Sequence, residues 1–209
     1  MKLKTRINNL KFHDREVIIE QADKLLNAKD SEGQYRFSMY DQFGSVEEND
    51  LYSKVRFMVK GLGCKIIWID HISIIVSGMQ GDDERKTIDR IMTNLKMLTQ
   101  ELGCYIGLIS HLNNNNTTDH TFETGKIPTL NNLRGSGSLK QLADSVFAIS
   151  RDQQADTEEE RNTALLTVLK HRYTGNTGPA DYIYYNPVTG LFEEGVKPSK
   201  KKKDTNEDF

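Results

Sequence analysis

A chain of 209 residues with 36% hydrophobic and 28% charged side chains has enough apolar material for one domain with a real core, which excludes an intrinsically disordered polymer. No apolar run approaches the roughly 20 residues of a membrane span, and no apolar stretch stands behind the first residues, so neither a membrane anchor nor a secretory signal is expected. The formal net charge of −2 rules out a uniformly basic coat, so any contact with nucleic acid has to come from a local cluster of positive charge.

In chain order, residues 11–30 predict a helix, with Val17, Ile18, Ala22, Leu25 and Leu26 recurring at helical spacing. Residues 36–40 are a candidate short strand. Residues 50–61 predict a second helix, with Leu51, Val55, Met58 and Val59 on one face and Gly61 and Gly63 at its end. The run Ile66-Ile67-Trp68-Ile69 before Asp70 suits a strand buried on both faces of a parallel sheet. A long helix is predicted over 82–102. Asp82 or Asp83 stands near its cap, Ile88, Ile91, Met92, Leu95 and Leu98 form one stripe, and Gly103 lies past its end. Residues 104–110 predict another buried strand. Cys64 and Cys104 each adjoin a predicted strand and read as free core thiols, with no second ligand at zinc spacing.

Residues 113–129 form a long polar loop, which in a compact domain points to function or disorder. A short helix to about Ala143, a strand over 145–150, an acidic surface turn over 152–162 and a strand over 165–173 follow. A hairpin is then predicted around Asn186-Pro187-Val188-Thr189-Gly190. Residues 1–196 are taken as one domain and 197–209 as a disordered tail, Lys-rich and then acidic, closing on Phe209. The element order predicts an α/β domain with a largely parallel sheet, whose ligands bind beyond the carboxyl ends of the strands. That rule singles out Asp70 with His71, Ser110 with His111, Arg151, and Lys170-His171-Arg172.

Asp70, placed directly after an apolar strand, can hold the Mg²⁺ of a nucleotide; alone, such an Asp is more often a turn cap. His111 ends the next strand in the same way, and alone it reads as an ordinary surface histidine. In combination, Ile69-Asp70-His71-Ile72-Ser73, Asp83-Glu84-Arg85-Lys86, Leu133-Arg134-Gly135-Ser136-Gly137 and Arg172-Tyr173-Thr174-Gly175-Asn176-Thr177-Gly178 follow one another at a spacing that resembles the DnaB-like ring helicases. The branch most similar is the helicase half of the primase-helicases of T-odd coliphages, with mitochondrial Twinkle as a relative.

The resemblance implies a RecA-like motor core that couples NTP hydrolysis to 5′–3′ translocation on single-stranded DNA and duplex unwinding in phage DNA replication, in the cytoplasm of a bacterial host. It implies Asp70 as the metal-binding carboxylate and His111 as the sensor that links the γ-phosphate to the DNA loop. Arg172 would be an arginine finger acting on the neighbouring subunit's nucleotide, assisted by Lys170; a planar guanidinium suits spreading phosphoryl charge. Gln141 and Arg134-Gly135-Ser136-Gly137 match a further motif, which implies Gln141 as a nucleotide-binding residue and Arg134, Gly135 and Gly137 as DNA contacts, the glycines allowing close backbone approach to a ligand. Arg151 and Tyr185 resemble the pair that sandwiches the nucleotide base, Tyr182 and Tyr184 being competitors for the aromatic role.

In the loop, Asn113, Asn115 and Lys126 are the candidate DNA contacts. Where phage relatives carry several lysines this chain has Lys126, so useful affinity is expected only from a ring, a hexamer by resemblance, with a shallower salt dependence. Asp208 and Phe209 resemble a tail that docks the phage DNA polymerase. The cofactors implied are Mg²⁺ and ATP or another nucleoside triphosphate such as dTTP. No G-x-x-x-x-G-K-[ST] occurs in the chain. The expectation is therefore that the P-loop, its strand and the catalytic glutamate belong to an N-terminal partner fragment, and that the chain alone does not hydrolyse nucleotide. A split gene, an interrupting intron or a truncated frame would each account for this. A non-catalytic module that binds DNA or docks polymerase is the alternative, and a RecA-like recombinase a weaker one.

Overall fold

The computed structural model describes residues 12–40, 48–76, 82–112, 121–133 and 137–198. Its helices are α1 (Phe12–Leu26), α2 (Glu48–Lys60), α3 (Asp82–Leu102), α4 (Gly137–Leu142) and α5 (Glu158–Asn162). Its strands are β1 (Ile66–Ile69), β2 (Tyr105–Leu108), β3 (Ser145–Arg151), β4 (Thr163–His171), β5 (Gly178–Tyr185) and β6 (Phe192–Glu194). Two compact units result: residues 1–80 with 93–109, and residues 81–92 with 110–209.

In the first unit β1 and β2 pair in parallel, with Ile66 opposite Tyr105 and Ile69 opposite Leu108. Ile67 is buried with Leu51, Tyr52 and Val55 of α2, Leu95 and Leu98 of α3, and Cys104. Each of these aliphatic side chains contributes roughly 1.5–3 kcal/mol when removed from water. Asn94 Nδ2 donates to Tyr52 Oη at 3.1 Å. The Arg56 guanidinium forks onto the Glu101 carboxylate at 3.3 and 2.9 Å. Together these tie α2 to α3.

The bounds expected for α3 hold, for local reasons. Ile88, Ile91, Met92, Leu95 and Leu98 are all at most 6% exposed. Gly103 takes φ +62°, and the Cys104 amide reaches back to the Thr99 carbonyl at 3.4 Å, which closes the helix end.

Two expectations for this unit fail. β1 is covered on one face: Ile67 is 4% exposed but Ile66 is 59% and Trp68 72%. A two-stranded sheet backed by helices on one side leaves alternate residues facing out. The candidate strand at 36–40 does not form. Instead an Asp30 carboxylate oxygen accepts from the Glu32 and Gln34 amides at 2.9 Å, and an isolated bridge joins Lys29 to Tyr35. α1 forms where its periodicity places it, but Val17, Ile19, Leu25 and Leu26 stay exposed.

In the second unit β3-β4-β5-β6 is a four-stranded antiparallel sheet. The class is α/β as expected, but the parallel ladder is confined to β1 and β2. The physical reason is connection length: the links from β4 to β5 and from β5 to β6 are short turns, and a parallel pair needs a crossover of roughly a dozen residues or more. The C-terminal hairpin is β5 with β6, Tyr185 opposite Phe192. The acidic turn contains α5, whose Thr157 side chain accepts from the Glu160 amide at 3.2 Å while Glu160 reaches back to Thr157. That Thr-x-x-Glu capping box is a helix-start signal the sequence reading passed over.

Candidate functional site

The site residues are distributed over both units. In the first, the hydrogen bonds from Ile109 N to Ile69 O (3.0 Å) and from Ile72 N to Ile109 O (3.1 Å) carry the ladder past β1. Asp70 therefore sits at the carboxyl end of that strand, exposed to solvent. Among the described residues no group of three or more His, Cys, Asp or Glu side chains converges to hold a metal. A lone exposed carboxylate suits Mg²⁺ that arrives with phosphates and keeps most of its waters, since Mg²⁺ is commonly held by one or two carboxylates plus its substrate.

In the second unit, Lys170 and Arg172 leave the end of β4 and meet the C-terminal end of α4. Lys170 Nζ donates to the Lys140 carbonyl and, at 3.2 Å, to the Gln141 carbonyl. Arg172 Nη2 donates to the Gln141 carbonyl at 2.6 Å, its Nε stands 3.5 Å from Asp144 Oδ1, and its amide donates to the Asp144 carbonyl at 2.8 Å. Cations at a helix C-terminus satisfy orphan carbonyls and oppose the dipole, so this contact is stabilising in its own right. Nevertheless 46% of the Arg172 side chain remains exposed. Gln141 is thus brought together with Lys170 and Arg172, which are remote from it in sequence.

Arg151 and Tyr185 lie on the same face of the sheet. Arg151 pairs with Ala164, Ala164 with Ile183, and Tyr185 follows Ile183 by two positions. Tyr184 pairs with Thr163 and Tyr182 with Leu165, both on the opposite face. Of the three tyrosines, Tyr185 alone shares the Arg151 face. Its ring stands 5.6 Å from that of Phe192, a neighbour that sequence reasoning did not single out. β4 separates Tyr185 from Arg151, a gap of roughly 10 Å at two strand spacings.

His111 is exposed and lies in the second unit, one residue before the Leu112–Leu133 bridge. Lys126 lines a cleft with Arg151. Gly137 begins α4. Asn113, Asn115, Arg134, Gly135, Asp208 and Phe209, with the Lys200–Lys203 run, lie outside the described residues. No helix among the described residues is long and apolar enough to cross a membrane.

The family described as DnaB-like helicase C terminal domain matches residues 1–193. The DNA helicase/primase of Enterobacteria phage T3 is 38% identical over 191 residues, covering 86% of this chain and 33% of that protein. The replicative DNA helicase DnaB of Leifsonia xyli subsp. xyli is 29% identical, covering 59% and 26%. That of Geobacillus stearothermophilus is 25% identical, covering 76% and 36%. The chain spans about a third of the length of these relatives. With a match along nearly its whole length, the chain belongs to the DnaB-like helicase C-terminal domain family, whose RecA-like α/β architecture it shares.

Proposed function

We propose that the chain is the C-terminal part of the motor of a phage replicative DNA helicase, which couples NTP hydrolysis to 5′–3′ translocation on single-stranded DNA and to duplex unwinding. The observation that carries this reading is the convergence of Lys170 and Arg172 on the end of α4 beside Gln141, with the guanidinium still half exposed. A solvated strand-end arginine would need no such anchoring. An arginine held at its Nε and one Nη2 by the chain itself, yet open to solvent, is preorganised to meet phosphate oxygens from a neighbouring subunit. In NTPases such contacts are worth roughly 10³–10⁵ in rate.

Asp70 would hold the Mg²⁺ of ATP or another NTP, dTTP included, and that ion supplies charge neutralisation on the phosphates. His111 would couple nucleotide state to the DNA loop, and Arg151 with Tyr185 would receive the base from the sheet face they share. The exposed apolar residues of α1 are surface of the kind that a subunit interface buries, in keeping with a ring, a hexamer by analogy. Asn113, Asn115, Lys126, Arg134, Gly135 and Gly137 would meet single-stranded DNA. The tail ending in Asp208 and Phe209 would dock the phage polymerase, in the host cytoplasm.

The chain contains no G-x-x-x-x-G-K-[ST], so the P-loop and general base are assigned to a partner segment. The test is hydrolysis by the chain alone and after mixing with a segment that carries this motif. Activity that appears only in the mixture, and falls at least a hundredfold with Arg172→Ala, is the expected result. Turnover by the chain alone would refute the division of labour, and a mixture indifferent to Arg172 would refute the finger. DNA or polymerase binding with no turnover in any combination would favour a non-catalytic module.

A further inference from the structure

The loop that joins β4 to β5 begins with Arg172, and His171 is the last residue of β4, opposite Ser145 of β3. Side chains alternate along a strand, so the register that turns Lys170 towards α4 turns His171 to the other side. There its ring meets the loop that follows it. The Thr174 amide donates to His171 Nδ1 at 3.2 Å, and Thr174 Oγ1 stands 2.9 Å from the same nitrogen. The Asn176 amide donates to Thr174 Oγ1 at 3.2 Å. The Gly175 amide donates to the His171 carbonyl at 2.8 Å, with Gly175 at φ +71°. The Tyr173 ring, 78% exposed, stands edge-on to the imidazole at 6.2 Å.

These bonds fix the state of the imidazole. An amide N–H can only donate, so Nδ1 offers its lone pair and the ring is neutral with its proton on Nε2. The Thr174 hydroxyl then donates to Nδ1 and accepts from Asn176. A two-residue hairpin link would need no such clip, but residues 172–177 separate β4 from β5. Arg172 is held on one side by its amide on the Asp144 carbonyl, and at its head by Gln141 and Asp144. The His171 ring closes the loop on the other side, so Arg172 and Tyr173 lie between two fixed points.

We propose that His171 is a positioning residue for Arg172: as the neutral Nε2–H tautomer it draws Thr174 back onto the end of β4 and fixes the backbone from which the guanidinium reaches the neighbouring subunit. The inference rests on the finger role of Arg172 and adds the residue that sets its place. A misplacement of about 1 Å can cost on the order of 10²-fold in rate, so a clip in the loop governs turnover without touching the nucleotide. Asparagine at this position puts Oδ1 where Nδ1 stands and can accept the same bonds, whereas alanine cannot.

Two readouts test it. Amide hydrogen exchange at Thr174, followed by NMR on the full 209-residue chain, reports the clip itself. Exchange should be at least roughly fivefold faster in His171→Ala than in the wild type, and within about twofold of wild type in His171→Asn. Hydrolysis by the chain mixed with a segment that carries the P-loop reports the consequence. His171→Ala should lower kcat at least roughly tenfold with KM within about threefold, and His171→Asn should restore kcat to within about threefold of wild type. In an Arg172→Ala background His171→Ala should add less than about threefold, because the ring acts through the arginine.

Equal exchange at Thr174 in the wild type and His171→Ala overturns the proposal whatever the turnover. A His171→Ala chain that keeps near-native kcat while Arg172→Ala loses it overturns the positioning role and leaves the finger standing. If Arg172→Ala leaves turnover unchanged, the finger reading fails and the proposal falls with it, even where Thr174 is protected. Losses that multiply in the double variant, or an asparagine variant as impaired as the alanine one, also overturn it, since the effect would then not run through Arg172 or through Nδ1.

Discussion

Gly107 offers a perturbation whose sign can be worked out from the coordinates. It faces Trp68 across the parallel pair, and a Cβ added at Gly107 would lie 2.4 Å from Cε3 and Cζ3 of the indole. Carbon atoms in good contact stand about 3.5–4.0 Å apart, so the ring has to move by at least ~1 Å. It can, because Trp68 is 72% exposed. The cost is then that of driving χ angles off a rotamer, of order 0.5–1.5 kcal/mol, and not that of overpacking a closed core. Against it stands the gain from replacing a strand glycine, roughly 0.5–1 kcal/mol.

Gly107→Ala should therefore be nearly neutral to about 1 kcal/mol destabilising in the native background. In a Trp68→Ala background the clash is gone, and the same change should stabilise by about 0.5–1 kcal/mol. Urea unfolding followed by far-UV circular dichroism on all four chains gives the coupling, expected near 1 kcal/mol. Trp68 is the one tryptophan in the chain, so its emission reports the displaced ring directly. A coupling below about 0.3 kcal/mol with an unchanged emission maximum would mean that the indole does not lie over Gly107, and the reasoning would be wrong.

Three further outcomes follow from the geometry. Arg172→Lys keeps a charge but cannot hold Asp144 and Gln141 while presenting a planar fork; it should lower hydrolysis by the assembled enzyme at least tenfold while changing Tm by no more than a few degrees, as a surface contact does, and near-native turnover would contradict the finger role. Cys104 is 7% exposed and burial pushes its thiol up, whereas Cys64 is partly exposed; a disulfide reagent at neutral pH should modify Cys64 at least tenfold faster, with the difference abolished in denaturant. The Glu101 carboxyl is held below its ordinary 4.5 chiefly by hydrogen bonds from Arg56, so its contribution to stability is fully present above that value and lost as pH falls through the depressed one; the Tm gap between wild type and Glu101→Gln should close with acidification, and a gap that persisted to the acid limit would assign the effect to packing.

What could be read from the residues alone divides along the range of the interactions responsible. α3 was legible to its ends because its start, its stripe and its Gly103 stop are all encoded within a turn or two. The exposure of Ile66 and Trp68 was not, since covering a strand face depends on elements distant in sequence. The antiparallel β3–β6 sheet lay between. The short links after β4 and β5 already forbid parallel pairing, but element order alone, which predicts parallel strands, takes no account of link length.

The site follows the same division. Strand-end chemistry at Asp70, Arg151, Lys170 and Arg172 could be picked out one residue at a time from apolar runs that stop on a polar group. Their grouping could not, because register decides it. Tyr185 lies on the Arg151 face because β3, β4 and β5 pair as they do, and a shift of one residue between β4 and β5 would turn Tyr184 there instead. Lys126 illustrates the limit most clearly. Its place in a long polar loop suggests a DNA contact, and two backbone contacts, Glu123 to Gln153 and Thr124 to Asp152, draw its segment onto the end of β3. A residue's role in this fold is therefore set less by the loop that carries it than by where that loop is pinned. The pinning here places a loop lysine beside the arginine assigned to the nucleotide base.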